Sequence, residues 1–290
     1  MPNTRDIRNR IRGVKNTAKI TRAMQLVAAS KMKKAQDAAL LGRPYADLLS
    51  RILGALTDHL PEFKHPFLDQ RPIRNRGVLV ITSDRGLAGA LNANLFREIA
   101  KFDTATTAFY TIGKKGRQFI SRTNRRLIAD FPISESAPFR EFRPVIEAMI
   151  DAYKKGEIDT LEILYPRFRN TLIQEPRVAA FLPLQNFRSS LVERLQSEGG
   201  ELVQDERDFI FEPDPATILD QLLDRFLKRE TYQLLLDARA SEHSARMVAM
   251  KAATDNAKKL TDQLTLQYNK ARQAGITQEI LEITAAAQTS

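Results

Sequence analysis

Small and apolar side chains recur along the first forty residues in strict alternation of three and four. The series is Ile7, Ile11, Val14, Ala18, Thr21, Gln25, Ala28, Met32, Ala35, Ala39. This is the a/d spacing of a coiled-coil seam, with Thr21 and Gln25 as polar interruptions. A second series of the same kind runs through Met250, Ala253, Ala257, Leu260, Leu264, Gln267, Ala271 and Ala274. The helix breakers respect both. No proline lies between Pro2 and Pro44, and residues 216–274 contain neither proline nor glycine. The pattern predicts a first helix of ~60 Å and a last one of ~100 Å if it continues to Ile283. Helices this long at opposite ends of one chain pair most simply antiparallel. The alternative is two amphipathic helices packed on an ordinary core, because such seams also occur in bundles.

Between them the period changes. Gly77–Thr82 is a short apolar run bounded by turn formers, as expected of a buried parallel strand. A helix is expected near Leu87–Lys101, a strand over Thr107–Ile112, and a further helix after Gly113-Lys114-Lys115-Gly116. Glu141–Lys155 reads as helix, Thr160–Tyr165 and Val178–Leu184 as strands, and Asp208–Glu212 as one more. Strand–helix alternation implies a small α/β domain with right-handed crossovers. The fold class is therefore α+α/β: a long antiparallel coiled coil of the terminal helices with a central Rossmann-like α/β domain. The expected ranges are 1–57 for the first coiled-coil helix, 58–212 for the α/β domain and 213–290 for the last helix.

Charge sharpens this picture. The 290 residues carry 45 Lys and Arg against 35 Asp and Glu, a formal +10. Residues 1–36 hold ten of the cations and one acid, Asp6, so +9 of the excess sits on the first helix. Three readings of this arm stand. It is a solvated helix face, a nucleic-acid arm, or a rod facing acidic protein loops. Aromatic side chains for stacking on single strands are absent from residues 1–44.

Other chemistry is thin. There is no Cys, so no disulfide or thiolate site arises from this chain. The three histidines, His59, His65 and His243, are too scattered for a metal cluster. His243 is expected at the surface or in the seam. Gly86-Leu87-Ala88-Gly89 and Gly113-Lys114-Lys115-Gly116 lack the spacing of dinucleotide or P-loop fingerprints. Turn formation and close helix–strand packing account for both. No carboxylate is paired with a His or a nucleophile at informative spacing. The start of the chain lacks the apolar core of a secretory signal, and no apolar run reaches ~18 residues, so an intracellular chain is expected.

Specific runs of residues go further. Arg5-Asp6-Ile7-Arg8 and the run from Ile20 to Met32, the run from Ser244 to Ala257, and the run from Tyr268 to Ile280 closely resemble the terminal helices of gamma subunits of F-type ATP synthases. Ser83-Asp84-Arg85-Gly86-Leu87-Ala88-Gly89-Ala90-Leu91-Asn92 resembles that family's loop after the first strand. Ala90 stands where the family often has a second Gly, and Gly275 where another small residue is common. The likeness runs end to end and favours the bacterial form. The cysteine-bearing insertion of the chloroplast relatives is absent, so thiol control is not expected.

The resemblance implies a central rotor shaft without catalytic residues, cofactor or metal of its own. It would couple proton-driven rotation of the c ring to the conformational cycle of the catalytic beta subunits. The implied partners are the alpha3beta3 hexamer, the epsilon subunit and the c ring of Fo. Nucleic acid is not among them, and the membrane is reached only through Fo. The location would be peripheral, on the cytoplasmic face of the bacterial inner membrane. By the same resemblance Arg8, Met24, Lys31, Lys33, Lys34 and Arg246 would face acidic loops of the beta subunits. Arg272, Gln273, Thr277 and Glu279 would meet a second beta loop. Ile276, Ile280 and Ile283, beyond the end of the partner helix, would enter an apolar bearing. Asp84 and Arg85 are candidates for the epsilon and c-ring side. A basic coiled-coil nucleic-acid-binding protein is the alternative.

Overall fold

The computed structural model describes residues 4–42, 44–45, 48–49, 52–53, 65–184 and 214–288. Contacts divide the chain into two compact units: Met1–Ser30 with Arg246–Ser290, and Lys31–Ala245. Both boundaries fall inside helices, α1 (Thr4–Leu41) and α5 (Pro215–Gln288). The three ranges expected from the helix breakers divide the chain by element, whereas these units divide it by packing.

In the first unit α1 and α5 run antiparallel. Thr21 meets Thr254, and further back along α1, Asp6, Ile7 and Arg10 share a groove with Leu264, Gln267 and Lys270. Every seam position expected on α1 is buried or half-buried, with Ile7, Thr21 and Ala28 the most enclosed. On α5 the seam is different from the expected one. Met250, Thr254, Ala257 and Leu264 are buried, with Thr261, Tyr268, Ala271 and Gly275 half-buried between and beyond them. Of the expected positions Leu260 and Gln267 are exposed, while Ala253 and Ala274 are half-buried like Ala271.

The correction has a physical cause. Threonine hydroxyls in a helix donate to the carbonyl four residues back, as Thr254 does to Met250 and Thr261 to Ala257, both at 2.8 Å. With its polar atom so satisfied, a short β-branched side chain fits a close seam that a leucine would overfill. Beyond Gly275 every described side chain of α5 is exposed.

The second unit is a five-stranded sheet of order β3-β2-β1-β4-β5. Its strands are β1 (Arg76–Ile81), β2 (Thr107–Ile112), β3 (Leu127–Phe131), β4 (Thr160–Phe168) and β5 (Gln174–Leu182). The first four are parallel and β5 is antiparallel to β4. Between them lie α2 (Leu91–Lys101), α3 (Lys114–Arg122) and α4 (Phe139–Lys154). Strand alternation splits the core between two faces. Val78, Val80 and Phe109 pack with Leu95 and Ile99 of α2 and Ile120 of α3. Leu79, Ile81, Tyr110 and Ile112 pack with Phe142, Ile146 and Met149 of α4, and with Leu219, Leu223 and Leu227 of α5.

Three elements differ from the sequence reading. The first internal helix begins at Leu91 rather than near Leu87, because Leu87 and Gly89 both adopt positive φ (64° and 58°) in the preceding loop. Strand β3 was not anticipated: it is five residues long at the edge, carries Asp130 and has no fully buried position. The last strand begins at Gln174, earlier than Val178, since the hairpin with β4 is closed by Asn170, whose carboxamide accepts from the N–H groups of Leu172 and Ile173. The strand expected at Asp208–Glu212 lies outside the described residues.

Candidate functional site

At the carboxyl end of β1 the chain turns through Thr82–Gly89. Gly113 (φ +102°) and Gly116 lie against Thr82, whose backbone carbonyl would stand 2.2 Å from a Cβ on Gly113. The Thr82 hydroxyl accepts from the Gly116 N–H at 2.8 Å. Close packing thus explains these glycines, as the spacing suggested. Asp84 is exposed and accepts the Lys114 N–H at 3.0 Å, occupying the start of α3 where a phosphate would otherwise be received. Arg85 is exposed, and its carbonyl accepts from the Ser83 hydroxyl at 2.7 Å. In open parallel sheets ligands sit outside the strand ends where the order reverses. Here Ala245 of α5 packs on Ala88 and Leu91 beside the end of β1.

The stretch of α5 just before Ala245 was missed by sequence reasoning. Residues 238–245 are buried around the whole circumference of the helix, including Arg239, Ser241, Glu242, His243 and Ser244. His243, expected at the surface or in the seam, is 3% exposed. Its Nε2 lies 3.8 Å from a Glu135 carboxylate oxygen, and the Lys31 ammonium takes the other oxygen at 2.6 Å. Arg239 donates to Glu242 at 3.1 Å within the same turn. Asp237 accepts the Phe168 N–H at 3.2 Å and so fastens α5 to the end of β4. Burial pushes its carboxyl up to about 6, against the opposing pull of that hydrogen bond and of Arg167. A helix that is enclosed on all sides carries no period to betray it. The run of small residues at Ala238, Ala240, Ser241, Ser244 and Ala245 was the available signal.

The residues expected to touch partners fall in both units. Arg8 is exposed and Met24 and Arg246 are half-buried in the helix pair. Lys33 and Lys34 are exposed in the second unit, while Lys31 is half-buried and tied to Glu135. Arg272, Gln273, Thr277 and Glu279 are all exposed. Ile276, Ile280 and Ile283 are 49%, 55% and 69% exposed, an apolar surface on a helix end with no α1 beside it. Of the histidines, His65 is buried, with Nδ1 accepting from Phe67 N–H and Nε2 facing Asp220 at 2.7 Å. His59 lies outside the described residues. Among the described residues no group of three or more His, Cys, Asp or Glu side chains is placed to hold a metal ion. No helix among them is long and apolar enough to cross a membrane.

A pair of terminal helices zipped antiparallel, with a doubly wound α/β unit inserted in the sequence between them, defines the fold class as α+α/β. The family model described as ATP synthase matches residues 3–289. The chain is 53% identical to the ATP synthase gamma chain of Opitutus terrae, over 99% of this chain and 98% of that one. It is 41% identical to that of Acidithiobacillus ferrooxidans, over 99% of both chains. Among solved structures, a chain of the Euglena gracilis mitochondrial ATP synthase, OSCP/F1/c-ring, superposes with a TM-score of 0.67 at 18% identity, over 99% of this chain and 94% of that one. That likeness shows the fold. The chain belongs to the ATP synthase gamma-chain family. The basic arm therefore belongs to a subunit of a rotary ATPase, and the nucleic-acid reading has no support.

Proposed function

We propose that this chain is the central rotor shaft of an F1 sector, coupling proton-driven rotation of the c ring to ATP synthesis or hydrolysis on the beta subunits. The observation that carries the reading is the helix pair in which α5 outruns α1. Ile7 stands beside Leu264 and Gln267, so the described residues from Ile276 onward extend past the first turn of α1. An α5 of 74 residues is ~110 Å of continuous helix. A shaft needs such length without breaks, and its bare isoleucine end suits an apolar bearing.

The chain has no catalytic site of its own in this reading, and chemistry belongs to the partner subunits. Arg8, Met24, Lys31, Lys33, Lys34 and Arg246 face acidic loops of the beta subunits, with Arg272, Gln273, Thr277 and Glu279 against a second loop. Exposure of most of these cations favours diffuse attraction over a fixed lock, which suits a rod that must turn inside a threefold ring. Lys31, already bound to Glu135, contributes least. Asp84 and Arg85 lie toward epsilon and the c ring, and the complex sits on the cytoplasmic face of the inner membrane.

Co-purification with alpha, beta and epsilon subunits tests the assembly. Met24→Lys tests the gripping surface. A new cation there should tighten the hold on acidic loops and lower the protons pumped per ATP hydrolysed. Pumping per ATP equal to that of the parent complex would remove Met24 from the contact.

A further inference from the structure

Tyr45, Phe139, Arg143, Asp224, Arg225, Lys228 and Arg229 line a groove of about 570 Å³ in the second unit, a volume within the range of small-molecule sites. Its cations are not equivalent. Glu147 takes both the Arg143 Nε and the Lys228 ammonium at 2.8 Å, and Asp224 takes Lys228 again at 2.6 Å. Those two carboxylates neutralise those two cations. Among the described residues Arg225 and Arg229 make no ion pair, and one turn of α5 sets them on the same side of the helix.

Among the described residues Arg229 is held by rings rather than by a carboxylate. Its guanidinium lies 6.0 Å from the ring centre of Tyr45 and 5.8 Å from that of Tyr232. It also lies against Gly42, where a Cβ would fall 1.4 Å from Nη2. Stacking and a glycine floor fix the fork, so little rotamer freedom remains to be lost on binding an anion. Beside it stand Tyr45 and Phe139, 50% and 40% exposed, which offer ring faces at the same opening.

We propose that this groove binds a phosphate-bearing ligand, with Arg225 and Arg229 receiving the phosphate oxygens and the Tyr45 and Phe139 rings receiving a flat or apolar portion. The preorganised Arg229 fork, with the exposed Arg225 four residues before it, matches phosphate oxygens, and the excess of two positive charges among the described residues fits a di- or triphosphate or an anionic headgroup. The two sources of that chemistry are a soluble nucleotide and an anionic phospholipid.

The test uses the assembled ATPase complex and reads this chain alone. Phenylglyoxal modification of Arg225 and Arg229 is followed by peptide mass spectrometry, which separates these residues from the catalytic nucleotide sites. The probes are ATP, inorganic pyrophosphate, and vesicles of phosphatidylglycerol or of phosphatidylcholine. The expected result is at least fivefold protection of Arg229 by one phosphate source. ATP and pyrophosphate protecting together indicates the soluble ligand, and phosphatidylglycerol vesicles alone indicate the lipid. Arg225→Glu should reduce the protection of Arg229 to twofold or less, and Arg225→Lys should retain most of it. Unchanged reactivity with every probe overturns the proposal. Arg225 and Arg229 that are unreactive in the complex before any probe is added also overturn it, because a partner protein then fills the groove.

Discussion

The hydroxyl oxygens of Thr21 and Thr254 lie 2.7 Å apart across the helix pair, both residues less than a tenth exposed. Each is also within reach of a carbonyl on its own helix, Ala18 for Thr21 at 3.1 Å and Met250 for Thr254 at 2.8 Å. Two hydroxyls carry two protons, so one is shared across the pair and the other returns to its own helix.

A double-mutant cycle reads that contact directly. Thr21→Val and Thr254→Val keep the branched shape and remove the hydroxyl, each at a cost of about 1 kcal/mol. Their combination should cost less than the sum by about 0.5–1 kcal/mol, measured by urea unfolding of the chain. Strict additivity would mean that the hydroxyls are neighbours without being partners.

The buried carboxyl of Asp237 should make stability depend on pH. Its native value of about 6 exceeds the unfolded one, so the native state binds more protons between about pH 4 and 6. The favourable contribution is present below pH 4 and is lost as pH rises through 6. Asp237→Asn, which still accepts the Phe168 N–H, should therefore raise stability by about 2 kcal/mol at pH 7.5. That advantage should shrink toward zero at pH 4, as followed by thermal unfolding across the range.

Two glycines should respond in opposite directions to alanine. At Gly113, φ of +102° and the Thr82 carbonyl 2.2 Å from the added Cβ leave no room for adjustment, so Gly113→Ala should cost more than about 3 kcal/mol. Gly13 sits exposed inside α1 with nothing within 4 Å of a Cβ. Gly13→Ala should stabilise by about 0.5–1 kcal/mol. Circular dichroism melts of the two variants give the comparison.

Truncation should separate stability from function. Removing residues 281–290 takes away no buried described side chain, and the unfolding free energy should change by less than about 0.5 kcal/mol. Ending the chain before Leu264, which is 4% exposed, should cost about 2–5 kcal/mol. A large loss from the short truncation would show that the exposed end is packed within this chain.

What was legible in the sequence follows from how each residue is used. The α1 seam was readable because its ten positions are all buried or half-buried and a single period describes them. The α5 seam was misplaced because hydrophobicity favoured Leu260, whereas packing favoured Thr261, whose hydroxyl its own helix absorbs. Central strands β1 and β2 announced themselves as apolar runs, while β3, at an edge and mixed in polarity, did not. The lone cations of the groove were invisible for another reason. Nothing in a chain of letters tells Lys228, held by two carboxylates, from Arg229, stacked on rings.

The uneven burial of α5 has a consequence for how that helix breathes. Its backbone is one unbroken ladder, yet it is encased at residues 238–245, one-sided near Leu264 and bare after Gly275. Opening a turn in the encased stretch means dislodging the sheet unit around it, whereas the bare end can fray by itself. Amide protons along this single helix should therefore trade with deuterium over several decades of time. The slowest of them should lie not at the helix midpoint but around Ser241.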